Sequence, residues 1–295
     1  MATATTTPAT AAPASPQRPT GAPTGSLWGA VLASETTKLR TVRSTVWTLF
    51  VTAILTVGIG SLITLARVSR WNDLSIHEKL TFDPTSFSLR GVFLAQLAIG
   101  VLGVLIVSSE YTSGMIRTTF AAVPQRRVVL YSKAIVFAVV AYIATAIACL
   151  AAFLVSQAIF AGTLLPTGGH VGQSLTSPGA LRSVLLAAFY LTVVGIMGLS
   201  LGSLMRRTAG AIATLFGIVF VLPLLTTALP SPWDTNVGKY LPSGAGVATF
   251  TTKPGGIGAA HMSDVLHPGA GFLVLVGYAA FALLVAGFAL TRRDT

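Results

Sequence analysis

SSEYTSGMIRTTFAAVPQRRVVLYSKA, residues 108–134, is a short polar stretch between two long apolar runs. It contains five charged side chains, whereas only 9% of the whole chain is charged. On either side lies an uncharged segment comparable in length to the roughly 20 residues that a helix needs to cross a bilayer core. This alternation predicts a membrane protein whose charged residues concentrate in the connections between apolar spans.

The composition of the whole chain supports this interpretation. Of the 295 residues, 53% are hydrophobic, and the mean hydropathy is +0.78. A soluble domain would carry about a quarter charged residues, so we expect lipid to surround most of the surface. Six segments are long and apolar enough to span a bilayer. They are approximately residues 45–66, 91–109, 134–160, 183–204, 209–229 and 271–290.

The regions outside the spans have different compositions. Residues 1–25 are rich in Ala, Thr and Pro and carry almost no charge, which predicts a disordered tail. The first apolar run begins only near residue 45 and is too long for a cleaved signal peptide. The loop 230–270 is long enough that short re-entrant or interfacial helices are expected within it. Residues 26–295 form the predicted six-span domain, which is an all-α integral membrane fold.

Basic residues divide unequally between the two faces that six spans define. Twelve Lys and Arg residues lie on the face that carries both termini, and seven lie on the other face. Acidic residues have the opposite bias, with three and five. Because basic residues favour the cytoplasmic side, the sequence predicts a multi-pass protein of the cell membrane with both termini in the cytoplasm. Residues 108–134 then lie at the cytoplasmic surface.

No constellation of catalytic or metal-binding residues is recognisable in the sequence. His77 and Glu78 begin the zinc-protease pattern H-E-x-x-H, but residue 81 is Thr. No phosphate-binding loop occurs, and the single Cys149 has no disulfide partner. We therefore expect no enzymatic activity and neither a cofactor nor a metal bound by this chain. The net charge of +11 comes without a nucleic-acid-binding motif, so no nucleic-acid partner is expected.

Small residues in the fourth span indicate close helix packing. Gly195, Gly198 and Gly202 fall on one helical face, and the last two form a GxxxG motif. Such motifs allow two helix backbones to approach closely in a membrane. The sequence leaves open whether the partner helix belongs to the same chain or to a second protomer.

Residues 110–123 are predicted to form a short amphipathic helix that ends before Pro124, because proline disrupts a helix interior. Two of its faces differ in polarity. One carries Glu110, Gly114 and Arg117, and the other carries Ile116, Phe120 and Val123. From the residues alone, this segment is either a docking surface for a partner or an interfacial loop whose arginines fix the topology.

The same stretch resembles the first cytoplasmic loop of ABC-2 type transporter permeases. That loop carries an acid, a Gly-Thr-Ile/Leu-Arg run, a small-residue segment ending in Pro, and later basic residues. The matching residues are Glu110, Gly114, Ile116, Arg117, Pro124, Arg126 or Arg127, and Lys133, with Met115 where Thr is usual. ASETTKLRTVRSTVWT, with Glu35, Lys38, Leu39 and Arg40, is similar to the elbow helix before the first span. The C-terminal LTRRDT is similar to the ending of actinobacterial members.

The resemblance, which covers about residues 27–295, implies a six-span permease with an N-terminal amphipathic elbow helix and a cytoplasmic coupling helix. Such a permease subunit forms a homodimer, or a heterodimer with a similar permease, in the lipid bilayer. It also binds two copies of a cytoplasmic ABC ATPase subunit, which hold ATP and Mg. The implied function is export of an apolar or amphipathic substrate.

The resemblance also implies roles for particular residues. The coupling helix would dock on the ATPase through Glu110, Gly114, Ile116, Arg117, Phe120 and Pro124. Glu35, Lys38 and Arg40 would belong to the elbow helix.

Two other functions are compatible with the sequence. An ion-coupled secondary transporter would need no ATPase, although such carriers commonly place ionisable groups in their spans, and the predicted span interiors contain none. A sodium site built from backbone carbonyls would avoid that requirement. A non-transporting membrane anchor or sensor would use residues 110–124 to recruit a cytoplasmic partner.

Overall fold

A computed structural model describes residues 27–123, 125–230, 233–252 and 266–292. Within these ranges, six helices are long and apolar enough to cross a membrane, and no β-strand occurs. The spans are Arg43–Ser69, Val92–Thr112, Arg126–Phe160, Ala180–Met205, Thr208–Thr226 and Pro268–Arg292, numbered 1 to 6 here. The predicted all-helical fold with six helices long and apolar enough to span a membrane is therefore confirmed for the described residues. The predicted disordered tail at residues 1–25 lies outside the described residues.

Spans 2 and 3 are longer than the apolar pattern predicts. Span 2 ends at Thr112 rather than near residue 109, and span 3 begins at Arg126 rather than near residue 134. The helices therefore continue through Glu110 and Lys133, which a hydropathy criterion assigns to the loop. This continuation is physically possible because the two side chains pair with opposite charges, as described below.

Span 4 lies at the centre of the bundle and packs mainly against spans 2, 3 and 6. Spans 2 and 4 are the most buried, whereas spans 1, 5 and 6 expose much of their surface. The exposed side chains of these outer spans are large and apolar, as membrane lipid requires of its protein neighbours. Examples are Phe50, Leu62, Leu224, Phe281 and Leu284.

Glycines allow the backbones of spans 2 and 4 to touch. A Cβ on Gly198 would overlap the carbonyl oxygen of Gly100, and a Cβ on Gly103 would overlap that of Gly195. A Cβ on Gly202 would lie 2.9 Å from the carbonyl oxygen of Val104, again on span 2. The predicted glycine face of span 4 therefore packs against a helix of the same chain.

Gly195 also makes room for a neighbouring aromatic ring. A Cβ at this position would lie 2.6 Å from Cζ of Phe137 on span 3, which is itself 2% exposed. The glycine face thus joins span 4 to spans 2 and 3 at one place in the core. The glycine costs little helix stability at this position, because close packing against the neighbouring helices compensates for its missing side chain.

Two short helices lie at one end of the bundle, which we call the basal end. They are the N-terminal helix (Leu27–Thr41) and the linker helix (Met115–Ala122), which connects span 2 to span 3. Val31, Glu35 and Leu39 are buried on one face of the N-terminal helix. Their spacing of four residues places them above one another on the helix, so this face packs against the bundle.

The opposite end is closed by short helices in the connections. Ile76–Thr81 and Pro84–Ser88 join span 1 to span 2, and Trp233–Gly238 and Pro242–Phe250 follow span 5. Pro242–Phe250 packs against spans 4 and 6. The expected short helices in loop 230–270 are therefore present in its described part.

Asp83 joins two of these connections. Its Oδ1 accepts hydrogen bonds from the backbone N–H of Thr85 at 3.1 Å and Ser86 at 3.2 Å, capping the helix Pro84–Ser88. Its Oδ2 accepts from the backbone N–H of Thr252 at 2.9 Å. One carboxylate thus fixes the connection before span 2 to the connection before span 6.

Candidate functional site

A cluster of four charged side chains, which we call the ion network, joins the N-terminal helix to spans 2 and 3. Its members are Glu35, Lys38, Glu110 and Lys133. Lys133 Nζ lies 2.6 Å from Glu35 Oε2 and 2.8 Å from Glu110 Oε1. Lys38 Nζ lies 2.8 Å from Glu35 Oε1 and 3.4 Å from Glu110 Oε1. Each carboxylate thus contacts both ammonium groups, and the network has no formal net charge.

Three members of the ion network are buried. The exposed fractions of Glu35, Lys133 and Glu110 are 2%, 4% and 7%, whereas the side chain of Lys38 is 33% exposed. A buried charge is costly unless an opposite charge and hydrogen bonds compensate for its lost hydration. The three helices therefore satisfy one another's charges, and the arrangement depends on all three meeting at this point.

The pKa values of the two residues on the N-terminal helix reflect this pairing. Burial alone would raise the pKa of the Glu35 carboxyl, but the charges and hydrogen bonds of Lys133 and Lys38 hold that pKa below its ordinary value. Burial alone would lower the pKa of Lys38, but its hydrogen bond to Glu35 and the charges of Glu110 and Glu35 raise it. Both side chains are therefore charged at neutral pH.

We expect the ion network to make stability depend on pH at the acidic limit. The folded-state pKa of Glu35 is depressed, so its contribution is present above the ordinary carboxyl value of 4.5 and is lost as pH falls through the lower folded value. Lys38 has a raised pKa, so its contribution is complete below 10.5 and is lost only as pH rises through the higher folded value.

The measurement is the thermal unfolding midpoint of detergent-solubilised protein from neutral to acidic pH, for wild type and for Glu35→Gln. The wild type should be the more stable at neutral pH, and the difference should shrink with acidification, because a protonated glutamate resembles glutamine. A difference that stays constant across the acidic range would contradict the assignment of this effect to Glu35.

A glycine joint separates span 2 from the linker helix. Span 2 ends at Thr112, and Gly114 has φ 74° and ψ −1°, which is the left-handed region that favours glycine. A Cβ on Gly114 would meet nothing within 4 Å, so backbone conformation rather than crowding explains the residue. The linker helix then begins at Met115.

The structure contradicts one prediction made for this segment. The helix predicted for residues 110–123 is broken at Gly114, so Glu110 and Arg117 belong to different helices. Glu110 is buried against Lys133 and Lys38, and its role as a docking contact stays a prediction. The burial of Glu110 has an electrostatic reason: at the end of an apolar span, two ammonium groups contact Oε1 of the carboxylate.

The other predicted docking residues remain on or beside the linker helix. Ile116 is half-buried and lines a small pocket with Val107, Tyr111, Lys133 and Leu290. Met115 is 50% exposed, and Thr118 is also exposed. One side of the linker helix therefore packs against the bundle, and another side is exposed. The side chains of Arg117 and Phe120, and Pro124 as a whole, lie outside the described part of the structure.

The residues predicted for the elbow helix lie in the N-terminal helix, where Glu35 and Lys38 join the ion network. The side chain of Arg40 is not among those described. Sequence reasoning missed the role of Lys133, although a pattern pointed to it. Lys133 is the last charged residue before the long uncharged part of span 3, and Glu110 is a single acid at the apolar end of span 2. Two isolated opposite charges at one membrane boundary favour an ion pair.

These features define a class: an all-helical protein with six helices able to span a membrane and an ion network at one end of the bundle. Residues 79–295 match the family model described as "Protein of unknown function (DUF2705)". Because the match covers most of the chain, including spans 2 to 6 and the linker helix, the protein belongs to this family. A comparison with curated proteins finds no match.

Proposed function

We propose that the chain is the membrane-spanning permease subunit of an ABC exporter, driven by ATP that a separate ATPase subunit hydrolyses. The observation that carries the proposal is the linker helix with its outward-facing side, held between spans 2 and 3 beside the ion network. The sequence resemblance to ABC-2 type permeases identifies the same segment as the coupling helix. In this proposal the basal end is cytoplasmic, as the distribution of basic residues predicts.

The ion network gives the linker helix a mechanical connection to the bundle. A force on the linker helix is transmitted to span 2 through Gly114. It is transmitted to span 3 through the short connection that ends at Arg126. Lys133 links both spans to Glu35, so the N-terminal helix moves together with them. The linker helix and three further helices then respond as one unit to closure of the ATPase pair. The ATP and Mg are bound by the two ATPase copies, and a second permease, identical or similar, completes the pathway.

The chemistry of the spans favours an apolar or amphipathic substrate. Among their described residues, Asp, Glu, Lys, Arg and His occur only towards the span ends. In the interior, the hydroxyl of Tyr190 donates a hydrogen bond to Oε1 of Gln96, and both residues are buried. These two polar groups thus satisfy each other, and the other large side chains buried in the spans are mainly apolar.

The test is affinity capture of the tagged, full-length chain from its native membrane, followed by identification of the captured proteins. We expect the wild type to retain a P-loop ATPase and to stimulate its ATP hydrolysis. Met115→Asp changes the outward side of the linker helix, and an acid at the first helical position does not destabilise the helix. Arg117→Glu reverses the charge that the resemblance assigns to docking. Each should weaken ATPase capture by about tenfold, which corresponds to about 1.4 kcal/mol of binding free energy.

The matched control is Lys79→Glu, which introduces an acid at the opposite end of the bundle and should leave capture unchanged. Equal capture by all variants would contradict docking on the linker helix. Substrate movement driven by an ion gradient without any ATPase would instead support a secondary transporter. Capture of a partner that hydrolyses no ATP would support a membrane anchor or sensor.

A further inference from the structure

Two arginines lie side by side on an aromatic surface at the end of the bundle opposite the ion network. Arg67 is near the end of span 1, and Arg90 comes just before span 2. The guanidinium carbon of Arg90 lies 3.9 Å from the centre of the Phe87 ring, and that of Arg67 lies 5.9 Å from the same ring. Arg67 is also 5.5 Å from the centre of the Phe82 ring. The two positive charges therefore share one aromatic platform.

Neither arginine pairs with a carboxylate among the described residues. The Nε atoms of Arg67 and Arg90 are buried and have no hydrogen-bond partner there. The carboxylate of Glu78 is close enough for Arg67 to lower its pKa, but it accepts hydrogen bonds from the backbone N–H and the hydroxyl of Ser75 at 3.0 and 2.9 Å. Among the described residues, the arginine pair thus holds two positive charges together without an ion-paired carboxylate.

The electrostatic cost of this arrangement is visible in Arg90. Burial, together with the neighbouring charge of Arg67, lowers the pKa of Arg90 to about 10. The aromatic faces offset part of the repulsion, because ring quadrupoles attract cations. They supply no hydrogen-bond acceptor that matches the guanidinium groups. An oxyanion between the two arginines would supply both a negative charge and such acceptors.

The platform beneath the arginines is rigid. The ring of Phe82 lies 5.1 Å from that of Phe87, 5.3 Å from that of Trp71 and 5.5 Å from that of Phe160, measured between centres. All four aromatic residues are buried. Phe160 is the last residue of span 3, so the platform connects that span to the connection between spans 1 and 2. The rings on which the guanidinium groups stack are therefore in place before any ligand arrives, which reduces the entropy cost of binding.

We propose that Arg67 and Arg90 form a binding site for a phosphate-type oxyanion at this end of the spans. Arginine is suited to this role because its planar fork of N–H groups donates two parallel hydrogen bonds to phosphate oxygens. Both residues lie within a few positions of a span end, the level at which lipid headgroups meet a membrane protein. The oxyanion is the phosphate of an anionic phospholipid or that of a soluble phosphorylated molecule.

The experiment uses the full-length protein in detergent micelles, titrated with phosphatidylglycerol in one arm and with inorganic phosphate in the other. Binding is followed by the thermal unfolding midpoint and, for the lipid, by native mass spectrometry. The variants are Arg67→Gln/Arg90→Gln and the single Arg90→Lys, which keeps the charge but loses the planar fork. The matched control is Arg70→Gln/Lys79→Gln, which removes two positive charges from the same end but outside the aromatic platform.

We expect the wild type and the control to bind at least one of the two probes saturably. The Arg67→Gln/Arg90→Gln variant should bind that probe at least about tenfold more weakly, and Arg90→Lys should be clearly weaker than the wild type. If Arg67→Gln/Arg90→Gln does not fold, the comparison of Arg90→Lys with the control decides. Binding of phosphatidylglycerol alone identifies a lipid headgroup site, and binding of inorganic phosphate identifies a site for soluble phosphorylated molecules.

Three outcomes would overturn the proposal. The first is that the wild type binds neither probe. The second is that the control loses binding as fully as the Arg67→Gln/Arg90→Gln variant, which would show that general charge attraction explains the binding. The third outcome is equal binding by wild type and Arg90→Lys, because a bidentate phosphate site distinguishes arginine from lysine.

Discussion

Replacing Lys133 with Met is expected to lower the free energy of unfolding by about 3–5 kcal/mol, the range observed when one partner of a buried ion pair is removed. Methionine has nearly the length of lysine, so the change removes the ammonium group while keeping most of the apolar contacts. Among the described ion pairs, Glu35 and Glu110 would then keep Lys38 alone to compensate two buried negative charges. Lys38 contacts Glu110 at 3.4 Å, so this compensation is weak.

The measurement is an SDS titration of the solubilised protein, with the folded fraction followed by tryptophan fluorescence. Lys38→Met is the matched control: it removes the same group from the same network, but its side chain is 33% exposed, so water replaces part of the lost interaction. The charge-balanced Glu110→Gln/Lys133→Met should lose less stability than Lys133→Met alone, because it leaves no uncompensated carboxylate. Equal losses for Lys133→Met and Lys38→Met would show that burial does not determine the contribution of the network.

The ion network also bears on the proposed transport mechanism. A coupling element needs a stiff connection to the helices it moves, and a buried, hydrogen-bonded set of charges provides one because its members cannot separate without exposing an unpaired charge. Lys133 is central, since it contacts one carboxylate on the N-terminal helix and one on span 2. If the chain is a permease, Lys133→Met should uncouple ATP hydrolysis from transport more strongly than Lys38→Met.

The number of spans was predictable from the sequence, but two of their ends were not. Hydropathy locates the apolar length of a helix and treats the first charged residue as its boundary. In this fold, Glu110 and Lys133 are inside helices because they pair with each other across two spans. Pairing between segments distant in sequence depends on the tertiary structure, so a hydropathy average over a short sequence window does not detect it.

The break at Gly114 has a recognisable signal in the sequence. A glycine that follows a helix commonly adopts the left-handed conformation that ends it, and Gly114 follows the last turn of span 2. Helical periodicity alone favoured a continuous helix over residues 110–123. Giving the glycine its usual role as a helix terminator would have separated Glu110 from Arg117 and placed it on span 2.

The glycine face of span 4 illustrates a different limit. The spacing of Gly195, Gly198 and Gly202 identified a face for close packing, and such a face lies at a helix contact in the structure. The sequence did not identify the partner, because many helices in a membrane protein carry small residues. Contact with Gly100 and Gly103 on span 2 decides the question, since the two backbones meet within one chain.

We expect Gly198→Leu to be among the most destabilising single substitutions outside the ion network. The new Cβ would overlap the carbonyl oxygen of Gly100, and a backbone atom cannot rotate away as a side chain can. Inserting extra atoms into a packed core typically costs about 1–3 kcal/mol, and occasionally more, even where neighbouring side chains adjust. Here span 2 and span 4 must separate, so we expect a loss at or above the upper end of that range.

The matched control is Gly277→Leu on span 6, where a Cβ would meet nothing within 4 Å. Both variants replace a glycine inside a membrane-spanning helix with leucine, a better helix former, so they differ mainly in the space around the new side chain. The SDS titration described above should therefore find Gly198→Leu strongly destabilised and Gly277→Leu close to the wild type. If the two variants are equally stable and Gly198→Leu alters only the oligomeric state on gel filtration, the glycine face would be an interface between protomers, because its close contact would then lie outside the single chain.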